Sequence, residues 1–203
     1  MRPLHIVTAA AIAACLAVAG CASLPVPAGT PGVRAQGAGM PHGHLAKFAD
    51  SGRVTYSAQI SNCRARDHGR LPDRACTPGS VNPAVTQANI SSTICQAGWT
   101  AQVRPPESQT ARAKYDTAYP AYGVPDGTTS ELDHLVPLEL GGSNDITNLW
   151  PEAGTIPNPK DSTERALNHA VCDRTVSLRA AQRAIARNWE TAEKRLRITS
   201  GGQ

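Results

Sequence analysis

Phenylalanine occurs once in this chain of 203 residues, methionine twice, and aromatic side chains make up only 4% of it. A core of that composition is aliphatic and small, and a small core favours covalent staples. No stretch carries five like charges in succession, which excludes a basic or acidic interaction tail. No pair of cysteines has CxxC spacing, so a structural zinc site is not expected. No serine elbow and no nucleophilic cysteine motif is present, which argues against a hydrolase triad. The apolar run from Leu4 to Val18 is short for a transmembrane helix. The formal charge of +4 and pI near 8.8 permit a polyanionic partner without demanding one.

What is there begins with a targeting pattern. Arg2 precedes the Ala-rich apolar run, and Val18-Ala19-Gly20-Cys21 follows. That tetrapeptide resembles a bacterial lipobox, which implies a lipid on Cys21; an ordinary secretory peptide cut nearby is the other reading. Either way the expectation is an exported protein, membrane-anchored in the periplasm or at the cell surface, otherwise secreted. The chain then divides into a signal segment over 1–20, a Pro/Gly-rich tether over 21–50, a domain over 51–198 and a frayed tail over 199–203. Within the tether, His42 and His44 read as a solvated pair.

Export agrees with the cysteines. Cys15 and Cys21 belong to the signal region, leaving Cys63, Cys76, Cys95 and Cys172. An even set in an exported chain implies two disulfides, and three pairings are open. The pairing expected is Cys63–Cys76 with Cys95–Cys172. The second would close a long loop and stabilise the fold by roughly 4 kcal/mol.

Along the domain, alternation over Val54–Ile60 predicts a strand, and Arg64, Arg66, Arg70 and Arg74 mark a basic loop. Thr86–Cys95 has the spacing of a short helix. Trp99 reads as a core anchor, and Arg104 before two prolines reads as a ligand-contacting or structural residue. Lys160–Cys172 predicts a helix, with Asp161 and Glu164 suited to its N-terminal half. Ser177 caps a second helix whose stripe is Leu178, Ala181, Ile185 and Trp189, with Arg179, Arg183 and Arg187 opposite. The fold class expected is α+β, a small disulfide-stapled domain.

The chemistry concentrates in Glu131–Glu152, ELDHLVPLELGGSNDITNLWPE. Asp133 and His134 stand side by side in an apolar run, a glycine turn follows, and Asn148 precedes Leu149-Trp150. A carboxylate can hold a divalent cation while a neutral imidazole takes a proton from water. Adjacent strand residues point to opposite faces, so a twist or bulge is needed before both serve one site. Asn148 suits bridging backbone groups across the turn and fixing the His134 ring. On the following helix, Asp161, Glu164 and Asn168 share one face, with His169 to one side.

These residues resemble the HNH motif of ββα-metal nucleases. Asp133-His134 matches the opening pair, Gly-Gly-Ser-Asn-Asp the turn, and Asn148-Leu149 the central Asn. More narrowly, STICQAGWTAQVRPP, DHLVPLELGG…NLWPE, KDSTE…L…VC and AIARNW resemble exported bacterial HNH-endonuclease-like proteins over more than half of the chain. The resemblance implies a ββα-metal hairpin–helix core and metal-dependent phosphodiester hydrolysis of nucleic acid. His134 would be the general base, Asp133 a metal ligand, and Asn148 the residue that orders the loop. The cofactor implied is Mg²⁺, Mn²⁺ or Zn²⁺, with no nucleotide cofactor. At the third letter the chain has Asn168 where the exported group has His. Asn168 and Asp161 are therefore the ligands expected from the helix, with Asn158 and His169 as rivals. The alternative function is a catalytically degenerate HNH scaffold, an envelope lipoprotein that binds polyanions or protein.

Overall fold

The computed structural model describes residues 44–198. The signal segment, most of the tether with Cys21 and His42, and the tail lie outside the described residues. The described chain is a mixed α+β domain.

It opens with β1 (Ala46–Lys47), parallel to β2 (Ser80–Val81). Phe48 N donates to Val81 O, and the Asp50 carboxylate is buried against Asn144. Residues 44–50 thus belong to the folded unit, which corrects the tether boundary: each of their backbone and side-chain partners lies in the domain. Next come α1 (Trp99–Val103), α2 (Glu107–Arg112), a π-helical turn (Ala113–Ala118) and α3 (Tyr119–Tyr122), ended by Gly123 in the left-handed region. Then β3 (Ser130–His134) pairs antiparallel with β4 (Leu149–Ala153). The chain closes with α4 (Lys160–Cys172), α5 (Leu178–Arg187) and α6 (Ala192–Leu196).

The helices form where pattern and caps agree. In α4, Thr163, Leu167, Ala170 and Val171 are buried, a stripe at helical spacing. In α5, Ser177 accepts from Ala180 N, and Leu178, Ala181 and Ile185 are buried together with Trp189 just beyond. These faces meet Val81, Val136 and Leu140 in one core cluster. Cys63 is bonded to Cys76, and Cys95 to Cys172, so the end of α4 is fastened to the segment before α1.

Two expected elements are replaced. Val54–Ile60 is not a strand; only Thr55 forms an isolated bridge, to Asp145. The reason is polar. Thr55 and Ser57 turn inward to hydrogen-bond the Asp145 carboxylate, while Tyr56 is left 51% exposed. Thr86–Cys95 holds only a 3₁₀ turn at Ile90–Ser92. There the Asn89 side chain bonds Thr86 N and Ala84 O, a local competition that polar side chains win against helix formation.

Candidate active site

The loop joining β3 to β4 is held by Asn148, which is fully buried. Its Oδ1 accepts from Val136 N (3.0 Å) and Ser80 N (3.2 Å). Its Nδ2 donates to Val136 O (2.9 Å) and Ser143 O (2.8 Å). One amide therefore satisfies backbone groups from three segments. The fit needs glycine beside it: a Cβ on Gly142 would lie 1.7 Å from Val136 O. Asp145 fixes the same loop by capping Thr147 N.

The β3–β4 register runs one to one from Ser130↔Ala153 to His134↔Leu149. No bulge intervenes, so Asp133 and His134 leave the strand on opposite faces. Directly paired residues share a face. Glu131 and Asp133 thus lie with Glu152 and Trp150, and the hydrogen bonds show that this face meets the start of α4. Asp133 Oδ2 accepts from Trp150 Nε1 (3.1 Å) and forms an ion pair with Lys160 Nζ (2.8 Å). Lys160 has no exposed surface, and its ammonium also bonds Glu164 Oε1 and His134 O. Glu131 Oε2 accepts from Asn158 Nδ2 (3.0 Å). Glu152 is 3% exposed, and its Oε2 is buried with no hydrogen-bond partner.

Two carboxylates contact the ammonium, Asp133 and Glu164, and crowding with Glu131 and Glu152 disfavours ionisation of all four. Burial, then the charge of Asp133, pushes the Glu152 carboxyl up to about 9. Burial pushes Glu164 up to about 8, outweighing the pull of the Lys160 ammonium. Glu131 is raised by burial and then by Asp133. Burial opposes the charge on Lys160, but Asp133 and Glu164 together overcome it and raise its pKa.

On the other face, His134 Nε2 lies 2.8 Å from Asn144 Oδ1. The Asn144 amide nitrogen faces two acceptors, Asp50 Oδ1 (3.0 Å) and Val103 O (2.9 Å). Its oxygen is therefore the atom turned to the imidazole, which places the ring proton on Nε2 and leaves the lone pair on Nδ1. Burial lowers the His134 pKa against the raising effect of Asn144, and the Arg104 charge adds to the depression. Burial thus disfavours the protonated ring. Arg104 follows Val103, is extended, and is exposed ahead of the buried Pro105.

The metal ligands expected from the sequence do not converge. Asp161 Oδ2 accepts from Asn158 N at the start of α4. Asn168 Nδ2 donates to Glu139 O (2.7 Å) and Ile94 O (3.2 Å), pinning α4 to the loop and to the segment before α1. Asn158 serves Glu131 and the first turn of the helix. His169 is exposed. Among the described residues, no group of three or more His, Cys, Asp or Glu is arranged to hold a metal. Asp133, Asp161 and Asn168 therefore do not fit a shared divalent ion, and Lys160 supplies the positive charge at Asp133.

Asn144, Asp50, Lys160 and Glu152 are the residues that sequence reasoning missed. Lys160 carried a signal: it lies three and seven residues before Thr163 and Leu167, on the buried stripe of α4. Asn144 and Asp50 carried none, since their partnership spans 94 positions. No family model, curated protein or solved structure matches the chain.

Proposed function

We propose that this protein is a phosphodiester hydrolase of the HNH kind, acting on nucleic acid outside the cytoplasm from a lipid anchor at Cys21. The observation that carries the reading is the state of His134. Its tautomer is set by the Asn144–Asp50 pair, burial disfavours its protonated form, and Nδ1 is left to take a proton from water. Asn148 supports the reading by locking the loop that follows. Arg104 stands on the His134 side as the cation for a substrate phosphate, a role that the forked guanidinium suits. No step of this reading passes through a metal at Asp133.

The test is cleavage of plasmid DNA and of structured RNA by the full-length protein in detergent. Reactions with Mg²⁺, Mn²⁺, Zn²⁺ or a chelator are run in parallel. Wild type is expected to cut at least one substrate, with H134Q slower by roughly 100-fold or more and R104A weakened in substrate binding. If wild type and H134Q are equally inert under every condition, the hydrolase reading fails.

A second reading is favoured by one observation, the Lys160 ammonium seated on Asp133. It makes the chain a non-catalytic hairpin–helix scaffold that binds polyanions or protein at the envelope. Retained nucleic-acid binding without cleavage in the same assays selects it.

A further inference from the structure

We propose that Lys160 is the resident cation of the hairpin–helix unit: its ammonium fills the place between β3 and α4 where a divalent ion would sit, and closes it to metals. The proposal stands apart from whether the protein cuts nucleic acid, since it concerns the face opposite His134.

Glu131 and Asp133 alternate onto one face of β3, and Glu152 stands opposite Glu131 on β4. Glu164, one turn along α4 from Lys160, shares the ammonium with Asp133. Three elements thus bring carboxylates to one side of the hairpin, a donor chemistry that suits hard cations; with the ammonium among them, no three of the described His, Cys, Asp or Glu side chains are arranged to hold a metal. The cation present is tethered. An ammonium has three protons, and Lys160 directs them to Asp133 Oδ2, Glu164 Oε1 and His134 O. No donor remains for a ligand, and with no exposed surface the side chain has no route to a substrate. A compact point charge on a flexible stem can take such a place. One oxygen is left over: Glu152 Oε2, buried among these groups and without a partner. It marks the carboxylate that one ammonium, with its three bonds, cannot serve and a divalent ion with more coordination positions could.

Removing the ammonium should therefore turn the cluster into a metal site. Two arms test this on the full-length protein in detergent, each by calorimetric titration and thermal melting with Mg²⁺, Mn²⁺, Ca²⁺ and Zn²⁺. Wild type is expected to show no divalent binding that D133N abolishes. K160A is expected to bind at least one of the ions, with a Tm rise of roughly 5–10 °C at about 100 times its Kd, and E152Q added to K160A should weaken that binding. K160Q, which keeps an amide in the space, is read in the same way should K160A not fold. Wild-type binding in the micromolar range that depends on Asp133 overturns the proposal. So does a folded K160A or K160Q that ignores all the ions, or failure of both variants to fold with or without them. Cleavage activity enters neither arm, so a protein inert toward nucleic acid leaves this result intact.

Discussion

His134 Nε2 and Asn144 Oδ1 meet at 2.8 Å, and the far end of the same amide is held by Asp50. The ring is positioned by a residue ten places along the chain, on the other side of the glycine turn. Asn144→Ala should free the ring to exchange tautomers and should slow cleavage by about 100-fold while leaving KM nearly unchanged. Nitrogen NMR of the imidazole separates this from a general loss of structure: wild type should show the Nε2–H form and the variant a mixture.

Burial holds the His134 pKa below its usual value of about 6.5. The sign follows from proton linkage. Below that value the unfolded chain takes up a proton that the folded ring refuses, so stability is present above it and is lost as pH falls. Thermal melts should show a Tm that drops from pH 7 to pH 5 through this group, and H134Q should lack that component. On the proposed function, the same shift would leave His134 able to accept a proton at pH values where an ordinary histidine is already protonated.

Glu152 has the opposite slope. Its carboxyl keeps a proton up to about 9 in the fold, whereas in the unfolded chain it ionises near 4.3. The folded state binds the extra proton across that window, so the stability this group confers is full below about 4.3 and is lost as pH rises toward 9. E152Q, which has no proton to lose, should gain on wild type steadily over the window. A Tm difference of a few degrees at pH 9, shrinking toward pH 5, is expected. A pH-independent difference would contradict the placement of this side chain.

Asn148→Ala removes partners from Ser80 N, Val136 N, Val136 O and Ser143 O at once, all inside the core. Buried groups left without partners each cost about 1–3 kcal/mol, so a loss of roughly 4 kcal/mol is expected by urea denaturation. Gly142→Ala should be similarly severe, because its Cβ would overlap Val136 O.

The sequence announced some of this and hid the rest for physical reasons. Helices α4 and α5 were legible because their buried residues repeat at helical spacing and Ser177 caps the second. The bridging role of Asn148 was legible because a glycine turn needs a side chain to satisfy its backbone, but the His134 ring it was expected to fix is held by Asn144 instead. The expected strand at Val54–Ile60 was misleading because Thr55 and Ser57 are attracted by Asp145, a partner about 90 positions away that alternation cannot reveal. Lys160 was named only as the start of a helix, for a related reason. A lysine on an apolar stripe reads as a surface residue until the carboxylates of another element are seen around it.

The bond between Cys95 and Cys172 spans 77 positions and fastens the end of α4 to the segment that leads into α1, the helix that carries Val103 and hence Arg104 toward His134. The bond therefore ties the segment that leads to Arg104 to the end of α4. A chain kept reduced inside the cell would hold these pieces loosely, and one released into an oxidising space would lock them. On the proposed function, the bond would fix this face only in an oxidising compartment.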